Sequence, residues 1–252
     1  MASQMAEKVA LVTGGSLGIG KATALAFARE GASVIIASRA QKPGEEVVSA
    51  IRSAGGEATW IETDVSQPAQ VAALLQQIHQ AYGRLDYAFN NAGSGGRGGW
   101  LAEIEEADWD KTIDGYLKSV WLCMKYEIQA MLPQGSGAIV NNSSVDGERA
   151  YPFDPVYSAA KHGVLGLTKS AAVQYAGKGI RINAVCPGWI RTPALEVMLA
   201  APGAEEQMLQ HQPIGRLGRS EEVAEAVIWL CSDQASLILG TALAVDGGYL
   251  AV

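Results

Sequence analysis

Apolar and polar positions along the chain alternate between two rhythms. Short runs rich in β-branched residues predict strands: VALVT at 9–13, SVIIAS at 33–38, ATWIET at 58–63, LDYAFNN at 85–91, AIVNNSS at 138–144, RINAVCP at 181–187 and TALAVD at 241–246. Several are apolar on both faces, as parallel strands covered by helices on each side must be. Longer stretches with helical periodicity lie near 18–30, 43–54, 67–82, 103–131, 156–177 and 220–231. The stretch 192–216 is less regular. This alternation predicts βαβ units, and therefore one doubly wound α/β domain over 1–252, with a mostly parallel seven-stranded sheet and helices on both faces. No repeat or linker interrupts it. The glycine-rich SGGRGG at 94–99 follows a strand end, where loops carry function more often than they mark a boundary.

Composition narrows the options without choosing among them. With 48% hydrophobic and 18% charged residues, the 252-residue chain reads as an ordinary soluble protein. The net charge of −7, with no basic run, argues against a nucleic-acid surface. No apolar run reaches the ~18 residues of a membrane span. The segment 1–9, MASQMAEKV, lacks the apolar centre of a signal peptide, so a cytoplasmic location is expected. Cys123, Cys186 and Cys231 stand far apart in apolar surroundings and read as reduced buried thiols. His79, His162 and His211 show no ligand spacing, and no metal site is expected.

The first candidate for chemistry is TGGSLGIG at 13–20, which joins the first strand to a helix. Gly14 permits a tight turn, Gly18 lets the backbone approach a pyrophosphate, and Gly20 lets the helix pack closely on the sheet. Ser16 and Ile19 belong to the same turn, and the helix N-terminus offers free N–H groups to phosphates. The spacing differs from the usual G-x-G-x-x-G, but the strand–turn–helix context favours a Rossmann-type dinucleotide site over plain turn chemistry. The second strand ends in Ser38 and Arg39, where a chain that prefers NAD normally places a carboxylate. A hydroxyl and a guanidinium attract a 2′-phosphate, so NADP(H) is the preferred cofactor, with NAD(H) the alternative.

The second candidate is YSAAK at 157–161. On a helix Tyr157 and Lys161 share a face. A cation beside a phenol lowers its pKa from about 10, which predicts a proton donor and acceptor usable near neutrality.

With TGGSLGIG, NNAG at 90–93, Ser144, YSAAK and PGWIRTP at 187–193 in order, the chain resembles the short-chain dehydrogenase/reductase family over nearly its whole length. The resemblance continues through PIGRLGRSEEVAEAVIWLCSD to the closing DGG. It implies that Tyr157 is the acid/base and that Lys161 both acidifies the phenol and binds the nicotinamide ribose. It also implies that Ser144, rather than Ser143, hydrogen-bonds the substrate oxygen. By the same resemblance Asp64 and Val65 flank the adenine, and Asn90, Ala92 and Gly93 form the turn beneath the cofactor. Pro187 and Gly188 also contact it, and Ile190 and Thr192 hold the nicotinamide carboxamide. One departure stands out: where the family commonly carries an asparagine that anchors a proton-relay water, this chain has Tyr116, so the usual relay is not expected.

The function expected is hydride transfer between NADP(H) and a small ketone or secondary alcohol. Two alternatives stand beside it: a 3-oxoacyl-[acyl-carrier-protein] reductase, disfavoured because an acidic carrier needs a basic docking face, and a non-catalytic nucleotide sensor. The walls of the substrate pocket are expected from 95–100, 146–153 and a loop near 189–216, with Trp100, Tyr151, Phe153 and Trp189 apolar and Asp146, Glu148 and Arg149 polar. Helices apolar on more than one face, through Trp121, Met124, Val164, Leu165 and Leu167, agree with the homotetramer common in the family.

Overall fold

The computed structural model describes residues 5–252, so residues 1–4 of the segment read for a leader lie outside it. The strands are β1 (Val9–Thr13), β2 (Ser33–Ser38), β3 (Ala58–Glu62), β4 (Tyr87–Asn90), β5 (Gly137–Asn142), β6 (Ile180–Pro187), β7 (Ile190–Arg191), β8 (Gly218–Arg219) and β9 (Ala242–Val245). The helices are α1 (Gly18–Arg29), α2 (Gln41–Ser53), α3 (Pro68–Tyr82), α4 (Glu106–Ile113), α5 (Ser119–Met131), α6 (Pro155–Tyr175), α7 (Pro193–Leu199), α8 (Ala204–Leu209) and α9 (Ser220–Cys231). The main sheet has seven strands in the order β3-β2-β1-β4-β5-β6-β9, every neighbouring pair parallel. Chain winding reverses between β1 and β4, and a ligand crevice opens at such a switch point beyond the carboxyl ends of the strands.

The period of two along each strand divides the core. Ala10 and Val12 of β1 pack with Phe27 of α1 and Val227 of α9 on one side, while Val9 and Leu11 meet Leu74 of α3, Ile128 of α5 and Val164 of α6 on the other. Burying each large side chain of this kind stabilises the fold by about 1.5–3 kcal/mol.

Two expectations about the elements are corrected. The helix placed at 103–131 is divided into α4 and α5 by a π-helical turn, Asp114–Lys118, which carries Tyr116. The region 192–216 is not irregular: it folds α7 and α8, and the β7–β8 pair lies outside the main sheet. The short lengths of these pieces, interrupted by Pro193, Pro202 and Gly203, concealed their periodicity. The seven-stranded parallel sheet agrees with the expected fold class.

A polar network crosses the second core. Asn90 Nδ2 donates to Glu127 Oε2 at 2.9 Å and to Asn141 Oδ1 at 3.0 Å, and Asn141 Nδ2 donates to Thr168 Oγ1 at 2.9 Å. Glu127 is fully buried, and burial raises its carboxyl to about 8 despite the Asn90 hydrogen bond. Among the described residues Asn90 Oδ1 and Glu127 Oε1 have no hydrogen-bond partner, an arrangement a neutral carboxyl tolerates far better than a carboxylate. Between the ordinary value of 4.5 and about 8 the folded protein keeps a proton that the unfolded chain has released. Stability attributable to this group therefore falls as pH rises through that window. Glu127→Gln removes the titration, so its melting temperature relative to wild type should climb between pH 5 and pH 9. The expected relative gain is on the order of a few kcal/mol. Melting curves that run parallel across that range contradict this assignment.

Candidate active site

Each catalytic candidate is positioned by the end of an element. Asp154 caps α6, its Oδ1 accepting from the backbone N–H of Tyr157 at 3.0 Å, and Pro155 opens the helix with its φ already set. Tyr157 thus lies in the first turn of α6, and Lys161 follows one turn later. Lys161 is 5% exposed, and its Nζ donates to the carbonyl of Asn142, the last residue of β5, at 2.7 Å. Its Nζ stands 5.5 Å from the centre of the Tyr157 ring. Ser144 follows β5, and its Oγ accepts from the backbone N–H of Asp146 at 3.1 Å. Ser143, the competing serine, turns inward to donate to the carbonyl of Lys161 at 3.0 Å. Both serines line the switch-point crevice, but the Ser143 hydroxyl is committed to that backbone carbonyl.

Two adjoining cavities of about 400 Å³ each occupy the switch-point crevice. They share Ile19, Asn91, Gly93, Thr192 and Ala194, and so form one continuous cleft. The first is lined by the glycine turn (Gly14, Ser16, Gly18), by Ser38 and Arg39, by Asp64 and Val65, and by Ala92. The second contains Ser144, Tyr157, Lys161, Pro187, Gly188 and Ile190.

The glycine turn fits a diphosphate. Gly14 and Gly18 have φ of 64° and 51°, and a Cβ on Gly20 would run into the Gly14 carbonyl, so only these residues permit the tight entry into α1. Ser38 is buried and accepts from Trp60 Nε1 at 3.0 Å, which leaves its own hydrogen available, while Arg39 is exposed at the rim. Asp64 accepts from Ser66 N at 3.0 Å and from Ser66 Oγ at 2.7 Å. Burial tends to raise its pKa, but these bonds together with the Arg39 charge hold it below the ordinary value.

Two of the expected contacts lie off the cleft. Asn90 faces the core network, because it shares the strand face of Ala88. Gly20 supports the turn from inside α1. The side chain that lines both cavities is the neighbour Asn91. Its Nδ2 donates to the carbonyls of Thr13 and Gly14 at 3.2 and 3.3 Å, and its Oδ1 accepts from Asn142 Nδ2 at 3.0 Å. Sequence position alone contained this signal, since Asn91 is the first residue past the strand. Of the expected substrate walls, Tyr151, Asp146 and Trp189 line the second cavity, joined by Met198 and Tyr249. Trp100 and Phe153 are instead 79% and 73% exposed, and neither Glu148 nor Arg149 lines the cavity.

The electrostatics correct one expectation. Burial pushes the Tyr157 phenol well above its usual range, with Tyr116 and two nearby carboxylates adding to the rise and a hydrogen bond with Ser144 opposing it. Burial lowers Lys161 to about 8, although Cys186 and Asp146 oppose the fall. The phenol is therefore not acidified toward neutrality in this structure: desolvation penalises the charged form of both partners. Tyr116 helps to create this dry setting. Its ring crosses that of Tyr157 edge-on at 5.0 Å between centres and lies 5.0 Å from Lys161 Nζ, a cation–π arrangement. A Cβ on Gly93 would come within 2.5 Å of the Tyr116 ring, so the glycine of NNAG makes room for it.

Residues 14–250 match the family model described as enoyl-(acyl carrier protein) reductase. The cis-4-hydroxycyclohexanecarboxylate dehydrogenase of Sinomonas cyclohexanicum is 46% identical over 252 residues, covering 100% of both chains. The cyclohexanol dehydrogenase of Acinetobacter sp. (strain SE19) is 43% identical, covering 99% of this chain and 97% of the relative. Among solved structures, levodione reductase superposes with a TM-score of 0.94 at 37% identity, covering 98% of this chain and 99% of its own. On this sequence identity, and with the fold and the glycine turn in agreement, the chain belongs to the short-chain dehydrogenase/reductase family.

Proposed function

We propose that this oxidoreductase interconverts cyclic secondary alcohols and ketones with NADP(H), residues 1–252 acting as one catalytic unit. The observation that carries this reading is the meeting of Ser144, Tyr157 and Lys161 in a cavity continuous with the glycine turn. The names of the relatives, which refer to cyclohexane-ring alcohols, supply the ring. Tyr151, Trp189, Tyr249 and Met198 offer it apolar walls.

The backbone N–H groups of the turn through Gly14, Ser16, Gly18 and Ile19 would hold the pyrophosphate. Ser38 and Arg39 would take the 2′-phosphate, and Asp64 and Val65 the adenine. Asn91, Ala92 and Gly93 would support the cofactor from below, Lys161 would bind the nicotinamide ribose, and Pro187, Gly188, Ile190 and Thr192 would hold the nicotinamide end. When bound, the nicotinamide supplies or accepts the hydride. Ser144 donates a hydrogen bond to the reacting oxygen, and Tyr157 delivers its proton to that oxygen in reduction or takes one in oxidation. Burial keeps the phenol proton on Tyr157. Tyr116 makes no side-chain relay of the family's usual form: an aromatic face meets the ammonium where an amide is common. The exposed Trp121 and Val173 on α5 and α6 favour self-association through that face, as in a homotetramer.

Tyr157→Phe should lower kcat for cyclohexanol oxidation and cyclohexanone reduction by about 10²–10⁴-fold with little change in coenzyme affinity. Turnover at the wild-type rate in purified Tyr157→Phe contradicts the role given to the phenol. Arg39→Ala should weaken NADPH binding about tenfold while leaving NADH binding nearly unaltered. Fluorescence titrations run in parallel measure both, and equal affinities in wild type and variant contradict the phosphate contact.

A further inference from the structure

Among the described residues the second cavity is lined by one carboxylate, Asp146, and its surroundings say what it recognises. Asp146 lies beside Ser144, and the Ser144 hydroxyl donates to its Oδ2 at 3.3 Å. Its charge reaches the titratable groups around the cavity, raising the pKa of Tyr151, Tyr157 and Tyr249 and supporting the charge of Lys161. Asp146 is itself raised, first by burial and then by Asp154, against the Ser144 hydrogen bond and the charges of Arg149 and Lys161. Among the described residues no ion pair engages it: the Arg149 guanidinium lies on the face of Tyr249, 4.6 Å from the ring centre, and Lys161 is committed to the Asn142 carbonyl. A carboxylate in an aromatic pocket is costly unless donors satisfy it.

Substrate binding removes the donor it has. Resting on the function proposed above, the Ser144 hydroxyl turns to the reacting oxygen and its hydrogen leaves Asp146. A simple alcohol then strands the carboxylate. A substrate with a second hydroxyl on the adjacent carbon repairs the loss, because that hydroxyl donates to Oδ2 while the reacting oxygen takes the hydrogen of Ser144. The 3.3 Å between Ser144 Oγ and Asp146 Oδ2 presents one donor and one acceptor at a spacing that suits two oxygens on neighbouring carbons.

We propose that Asp146 is a specificity residue that selects uncharged cyclic 1,2-diols and repels ring alcohols bearing a carboxylate. In the oxidation, the carbinol C–H leaves as hydride to the oxidised nicotinamide and the O–H proton goes to the phenolate of Tyr157, whose own proton has first been released to solvent. The second hydroxyl is retained, giving a 2-hydroxyketone. The carboxylate-bearing substrate named for the Sinomonas relative would meet like charge at this wall.

The test compares kcat/KM of wild type, Asp146→Ala and Asp146→Asn for cyclohexane-1,2-diol, cyclohexane-1,4-diol, cyclohexanol and cis-4-hydroxycyclohexanecarboxylate. Ratios between substrates within each protein cancel any loss transmitted through Ser144. Wild type should favour the 1,2-diol over cyclohexanol by about tenfold, the worth of a hydrogen bond to a charged group, and over the 1,4-diol as well. In Asp146→Ala the 1,2-diol preference should fall to near unity. In Asp146→Asn the carboxylate substrate should gain about tenfold relative to cyclohexanol, because the shape is kept and the charge is gone. Ring-alcohol oxidation with the same ratios in wild type and either variant overturns the role of Asp146 and leaves the function standing. Failure of wild type to oxidise any of these ring alcohols overturns both.

Discussion

A buried ammonium tied to a strand-end carbonyl organises the catalytic half of this molecule. Lys161 is almost wholly removed from water, and its bond of 2.7 Å to the Asn142 carbonyl fixes α6 against the end of β5. That contact is one link in a chain. Asn142 donates from its side chain to Asn91, and Asn91 donates onward to the carbonyls of Thr13 and Gly14. The turn that would receive phosphates and the lysine that would receive a ribose are thus held in register through two asparagine side chains.

Tyr116 gives this site a character of its own. The π-helical turn brings its ring against both Tyr157 and Lys161, into space left by the missing side chains of Gly93 and Gly95. A π turn inside a helix is a common mark of a functional position. The ring face offers the ammonium a diffuse negative surface, while its bulk excludes water. Burial, with Tyr116 adding to the rise, keeps the phenol protonated, and burial holds the Lys161 ammonium closer to release than a lysine in water.

Much of this was legible in the sequence, for identifiable reasons. Seven strands follow from compact β-branched runs that leave no helical alternative, and YSAAK placed Tyr157 and Lys161 on one face because helical geometry allows nothing else. Strand alternation allowed only one of Ser143 and Ser144 to face the site, and the family's spacing to Tyr157 favoured Ser144. The same rule applied at β4 would have chosen Asn91 over Asn90, since Asn90 shares the inward face of Ala88 and pairs in register with Asn141. The direction of the phenol pKa was not legible, because it depends on how much water the pocket excludes, and sequence spacing conveys charge but not desolvation. The loop aromatics Trp100 and Phe153 were also out of reach, since only a folded backbone decides whether such a ring turns toward the cleft or away from it. Glu127 gave no local sign of its burial beyond its place on an otherwise apolar face of α5.

The central claim is that this cleft moves a hydride between a ring carbinol carbon and a nicotinamide. Isotope tracing tests it most directly: cyclohexanol deuterated at the carbinol carbon is incubated with the wild-type protein and NADP⁺, and the reduced dinucleotide is analysed by mass spectrometry. The account predicts one deuteron on the nicotinamide for each ketone formed. Reduced dinucleotide without deuterium, or ketone without reduced dinucleotide, would contradict it.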